Sequence, residues 1–122
     1  DPYIAHPDAD AFTPVPGWLA TAFRSATLVY KRFGGRLIRG KAEDVAPTFP
    51  DGSLHLVFVD GEHEAKDVAT DLRLWLPKIR RGGILMGHDF SFDWPGVGEA
   101  IYHLKPENVT LGADYTFWWK VD

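Results

Sequence analysis

Four residues offer chemistry at a spacing that invites a shared site. Asp60 and His63 follow the apolar run Leu54-His55-Leu56-Val57-Phe58-Val59, and His88 and Asp89 follow Gly83-Ile84-Leu85-Met86-Gly87. Two carboxylates and two imidazoles are hard oxygen and borderline nitrogen donors. All four would therefore suit Mg²⁺, Mn²⁺ or another divalent ion. Imidazole also titrates near neutral pH, so His88 is equally a candidate general base. A plainer reading exists: polar side chains end apolar strands wherever the chain returns to water. Position favours a site, because open parallel sheets bind ligands in the loops beyond the carboxyl ends of their strands.

The elements that must position these residues follow from periodicity and punctuation. Residues 1–16 hold four prolines and no period, which predicts an irregular loop. From Gly17 to Phe33 apolar residues recur every three or four positions up to Gly34-Gly35, the pattern of an amphipathic helix and its stop. Arg36–Gly40 is a short strand candidate, and Ala42–Phe49 a short helix ended by the turn signal Pro50-Asp51-Gly52. Leu54–Val59, apolar on both faces apart from His55, fits a central strand covered on both sides.

Glu62–Arg81 contains a helix with Val68, Leu72, Trp75 and Leu76 on one stripe. Lys78-Ile79-Arg80-Arg81 reads as its last turn and Gly82-Gly83 as its stop. Ile84–Met86 is a second buried strand. Pro95 opens a helix to Leu104, and Asn108–Leu111 and Tyr115–Val121 form an antiparallel pair around a short connection. Strands alternating with helices imply right-handed crossovers and a mostly parallel sheet flanked by helices, an α/β fold. Asp60 and His88-Asp89 would then end neighbouring strands.

Other chemical residues read more plainly. Glu62 and Asp71 fit a helix surface, and His55 and His103 have no partner visible in sequence. Trp94-Pro95-Gly96 can place an indole over a bound ring, or serve as core or lid. Gly40-Lys41-Ala42-Glu43-Asp44 follows a strand candidate and opens a helix, so its backbone can line a pocket.

Composition narrows the class. A chain of 122 residues, 45% hydrophobic and 14% aromatic, is expected to form one globular domain over residues 1–122. A net charge of −4 argues against nucleic acid or anionic membrane as partners. The absence of cysteine excludes disulfides and thiolate metal sites. No apolar run reaches the ~20 residues that span a bilayer, and the opening residues carry acids rather than a signal-like stretch. A cytoplasmic location is the expectation.

The combination DGSLHLVFVDGEHEAKDVATDLRLWLPKIRRGGILMGHDF…WPGVGEAI resembles the class I S-adenosylmethionine-dependent methyltransferases, within them methyltransferase family 24, a small-molecule O-methyltransferase-like group. The likeness runs from about Gly40 to Leu104. It implies a Rossmann-like three-layer sandwich closed by a C-terminal antiparallel hairpin, with S-adenosylmethionine as cofactor. It places a metal-binding aspartate at Asp60 and the acidic pair of metal-dependent relatives at His88 and Asp89, where His88 departs from the commoner acid. It makes His63 or His88 the proton acceptor before methyl transfer to a small-molecule hydroxyl. It also puts Gly40, Ala42 and Glu43, with Asp60, on the cofactor side.

The family's glycine-rich motif and its ribose-binding acid are not found here, so the resemblance implies a partial domain lacking its first two strands. Weak or absent cofactor binding is then expected, with either a rearranged sheet or a homo-oligomer that closes the gap. Two other functions remain open: a non-catalytic methyltransferase-like module used for binding or oligomerisation, and a Rossmann-like hydrolase with a metal at Asp60 and Asp89.

Overall fold

The structure, a computed structural model, describes residues 18–122. The loop expected over residues 1–16 lies outside them. The chain divides into two compact units, one ending at Lys41 and one running from Ala42 to Asp122. In the first, α1 spans Trp18–Arg32, as the spacing predicts, with Lys31 and Arg32 in its last turn, where cations complement the helix dipole. Gly34 follows at φ 73°, the left-handed conformation that ends helices at little cost for glycine. The guanidinium of Arg39 lies 5.8 Å from the centroid of the Phe23 ring.

The strand expected at Arg36–Gly40 does not form: the segment joins no ladder among the described residues. Alternation alone does not make a strand; its N–H and C=O groups need a partner.

The second unit follows the order α2 (Ala42–Val45), β1 (Leu54–Val59), α3 (Ala65–Trp75), β2 (Ile79–Gly87), α4 (Pro95–Leu104), β3 (Thr110–Leu111) and β4 (Phe117–Lys120). Single 3₁₀ turns extend α2 and α3 through Ala46–Thr48 and Leu76–Lys78, each with a proline in its opening positions. The strands form one sheet in the order β1-β2-β4-β3. β1 and β2 are parallel, while β4 is antiparallel to both β2 and β3. The crossover through α3 and the closing antiparallel pair agree with expectation.

Two boundaries move. The basic run is not a helix end: Pro77 stops α3, and Ile79 already pairs with Leu54. Gly82-Gly83 is likewise no helix stop but a bulge inside β2. While β1 advances from Leu54 to Leu56, β2 advances from Ile79 to Ile84. Gly82 takes φ 78°, and a Cβ at Gly83 would meet the Ile79 side chain at 2.6 Å and the His55 carbonyl at 2.8 Å. Only glycine lets the bulge close this tightly. The looped strand stays bonded on its other side, where Gly82 N–H donates to Val121 O and Val121 N–H to Gly83 O.

One face of the sheet carries the core. Val57, Leu85 and Trp119 lie in one cross-strand row and Gly87 and Phe117 in the next. They pack with Val68 and Leu72 of α3 and Val97, Ala100 and Ile101 of α4. Leu72, Leu85 and Phe117 are almost fully enclosed, each contributing about 1.5–3 kcal/mol by leaving water. The opposite row differs from the strand covered on both sides that the sequence suggests. Leu56 stays 48%, Phe58 46% and Trp118 40% exposed. No helix among the described residues is long and apolar enough to cross a membrane.

Candidate active site at the carboxyl ends of the parallel strands

The parallel pairing of β1 with β2 brings the two polar termini together. Val59 stands opposite Gly87, and the ladder runs one bond further, from His88 N–H to the Val59 carbonyl at 3.2 Å. Asp60 and His88 therefore leave the sheet side by side. Gly87 is required here: a Cβ would lie 2.5 Å from Phe117 and 2.6 Å from the Val59 oxygen. The chain then reverses through Asp89 at φ 64°, a conformation aspartate tolerates better than most residues.

That reversal turns Asp89 onto two imidazoles. His63 Nε2 lies 2.8 Å from Asp89 Oδ2, and His88 Nδ1 lies 3.1 Å from Asp89 Oδ1. A carboxylate oxygen accepts hydrogen bonds, so His63 Nε2–H donates to Asp89 and the lone pair of its neutral imidazole is left on Nδ1. Donor atoms of Asp60, His88 and Asp89 lie within 4.8 Å of one another. Octahedral ligands at ~2.1 Å sit roughly 3–4 Å apart, so small side-chain rotations suffice to hold a divalent cation. An imidazole steadied by a carboxylate is also the usual state of a metal-ligating histidine. The donor set fits the ion that the sequence suggests.

His63 is fixed from a second side. The Trp94 indole stacks on its ring at 4.1 Å between centroids and 22° between planes. Trp94 immediately precedes α4, whose Pro95 occupies an opening position. Gly96 brings that helix onto the backbone of the His63 loop. A Cβ there would run into the His63 carbonyl oxygen and lie 2.6 Å from Ala65 N. Gly96→Ala is accordingly expected to cost about 1–3 kcal/mol by displacing this loop, read as a lower urea midpoint.

Around this centre the sequence assignments separate. Asp60, His63, His88 and Asp89 converge on one cleft, whose floor includes Val59 and Phe117. Ala42 and Glu43 open α2, and Gly40 lies in a bend of the first unit. Glu62 is exposed in the loop before α3 rather than on the helix. His55 is exposed, and exposed His103 lies 3.9 Å from Glu99 one helical turn away, in keeping with solvated roles.

Sequence reasoning missed Asp71. It is not simple helix surface but partly buried, its Oδ2 lying 3.4 Å from where a Gly61 Cβ would be. Lost hydration, then the charge of Glu43, with further contributions from Asp67 and Glu62, hold its carboxyl above the ordinary value. A raised folded-state value means that the folded chain binds this proton more tightly than the unfolded one. Ionised Asp71 therefore costs stability at neutral pH, and the cost vanishes as pH falls through the raised value toward the ordinary one. Asp71→Asn is expected to raise the urea midpoint at pH 7 and to lose that advantage below about pH 4.

With this geometry in view, residues 7–90 match a methyltransferase domain family, methyltransferase family 24. The chain belongs to this family, among the class I S-adenosylmethionine-dependent methyltransferases. Membership implies S-adenosylmethionine as cofactor. A curated relative, the uncharacterized protein y4gI of Sinorhizobium fredii, is 33% identical over 69 residues, 57% of this chain but 8% of the relative.

Solved structures share the Rossmann-like fold. A Corynebacterium glutamicum protein superposes with a TM-score of 0.62 at 17% identity, covering 84% of this chain and 56% of its own. The O-methyltransferase NovP superposes at 0.59 and 20% identity, covering 98% and 57%. The chain thus spans a small part of its curated relative and little more than half of either structural neighbour.

Proposed function

We propose that this chain carries the acceptor side of an S-adenosylmethionine-dependent O-methyl transfer to a small-molecule hydroxyl. The observation that carries this reading is the convergence of Asp60, His63, His88 and Asp89 where β1 and β2 end. His63 is the proton acceptor. Its Nε2–H is committed to Asp89, so Nδ1 is the nitrogen that takes the hydroxyl proton as the oxygen attacks the methyl carbon. That transfer would break the carbon–sulfur bond, its electron pair leaving on S-adenosylhomocysteine. Asp60, His88 and Asp89 would hold a divalent cation, Mg²⁺ or Mn²⁺, which when bound would supply Lewis acidity toward a hydroxyl. Ala42 and Glu43, at the start of α2, would line the adenosyl side of a bound cofactor.

The test is transfer of a labelled methyl group from S-adenosylmethionine to a panel of hydroxylic acceptors, with Mg²⁺ and with a chelator. Label in an acid-stable ether, lost on chelation, is expected. A folded chain that binds S-adenosylhomocysteine and transfers nothing would contradict catalysis and leave the module reading.

One observation favours that second reading, a binding or oligomerisation module. β1 pairs on one side only among the described residues, and its Leu56 and Phe58 are half exposed. An apolar strand with an open edge is a template for another chain. Homo-oligomerisation in the cytoplasm is proposed with it. Sedimentation is expected to show concentration-dependent association that Phe58→Lys abolishes; a monomer at every concentration would contradict it.

A further inference from the structure

The donor set at the ends of β1 and β2 is not uniform, and its one nitrogen bears on which ion it holds. Asp60 and Asp89 bring carboxylate oxygens and His88 an imidazole nitrogen, the three donor atoms lying within 4.8 Å of one another. The nitrogen is not on a wandering loop. His88 N–H donates to the Val59 carbonyl at 3.2 Å, so its backbone still belongs to the parallel ladder. Its Nδ1 stands 3.1 Å from Asp89 Oδ1. Neighbouring ligands of an octahedral ion with bonds of ~2.1 Å are roughly 3 Å apart, so this pair is already spaced for one ion.

Asp89 is held so that it offers a single oxygen. Its Oδ2 accepts from His63 Nε2 at 2.8 Å, and Oδ1 is the oxygen beside His88. That arrangement disfavours Ca²⁺, which gathers about six to eight oxygens and often takes a carboxylate through both of its own. Mg²⁺ is also poorly served. It parts with water reluctantly and binds through charged oxygen, whereas an imidazole nitrogen favours transition-metal ions, more strongly for Co²⁺ than for Mn²⁺. With a neutral imidazole as the third donor, the set offers a hard ion the charge of two carboxylates only.

We infer that His88 is the ligand that sets ion selectivity, tuning the site to a transition-metal ion, Mn²⁺ or Co²⁺, over Mg²⁺ and Ca²⁺. This deepens the metal assignment made for methyl transfer above and rests on it, deciding between the two ions named there. His55 and His103 are exposed imidazoles outside the set, which makes them controls for casual binding of metal to histidine.

The test loads the chain with Mn²⁺, without any S-adenosyl ligand, and reads it by pulsed electron paramagnetic resonance. Coupling of bound Mn²⁺ to an imidazole nitrogen is expected, kept in His55→Gln and His103→Gln and lost in His88→Asp. In competition titrations the parent should bind Mn²⁺ about tenfold tighter than Mg²⁺ or better, and His88→Asp should narrow that ratio by about tenfold. The parent alone can refute the inference. Mg²⁺ binding as tight as Mn²⁺, bound Mn²⁺ without nitrogen coupling, or no Mn²⁺ binding at millimolar concentration would each overturn it. An unchanged ratio in a folded His88→Asp variant would do the same. Selective Mn²⁺ binding in a chain that transfers no labelled methyl group would sink the methyl-transfer reading alone. Labelled transfer by a chain that binds both ions equally would sink the selectivity alone.

Discussion

His63→Ala is expected to lower the rate of methyl transfer by about 10²–10⁴-fold, the range for losing a positioned general base. The expectation rests on two contacts that hold the ring without consuming it: Nε2 on Asp89 Oδ2 at 2.8 Å and the Trp94 stack at 4.1 Å. Neither occupies Nδ1. The variant should keep its fold, because His63 lies outside the buried core and the loop backbone is still gripped by Gly96. Imidazole added to the solution should restore part of the rate, which a packing defect would not allow. Asp89→Asn should also be slow, since the amide can present its N–H to Nε2 and so move the ring proton to Nδ1. A His63→Ala variant within about threefold of the parent rate would transfer the proton-accepting role elsewhere.

Phe117→Ala is expected to destabilise the fold by about 3–5 kcal/mol, a large part of the ~5–15 kcal/mol available to a domain. Phe117 is almost fully buried, stacks with Trp119 at 6.1 Å and 19°, and meets Phe90 at 6.5 Å. It also fills the space over Gly87, where even a methyl group would collide with its ring. Removing it leaves a cavity that Gly87 cannot fill, directly beneath the turn that aims Asp89. Urea unfolding should show a much lower midpoint with an unchanged slope. A loss below about 1 kcal/mol would mean that the site collapses around the smaller side chain, contrary to this packing.

The α/β frame and the convergence of Asp60 with His88-Asp89 were legible in the sequence, while several local details were not. Two apolar runs ending in Asp60 and His88-Asp89 can be read together because parallel strands expose their carboxyl ends on one edge, whatever their other details. The Arg36–Gly40 segment illustrates the opposite case, since its fate depends on a partner that its own residues do not name. The basic run at Lys78–Arg81 misled for a local reason. Its charges suit a helix end, but Pro77 and the bulge at Gly82 turn Ile79–Arg81 into strand. The Trp94 stack, the Gly96 contact and the burial of Asp71 are three-dimensional facts. Each joins segments that the sequence shows only as a helix start, a glycine and a polar helix position.

The measurement that bears most directly on the methyltransferase site is residue-resolved NMR of this chain, titrated with S-adenosylhomocysteine in Mg²⁺. It detects weak binding as well as strong. Amide shifts confined to Asp60–His63, His88–Phe92 and the start of α2 at Ala42–Glu43 are the expected result, with the His63 and Trp94 ring signals moving together. Shifts elsewhere, or none at millimolar ligand, would contradict the assignment of a methyl-transfer site to the ends of β1 and β2.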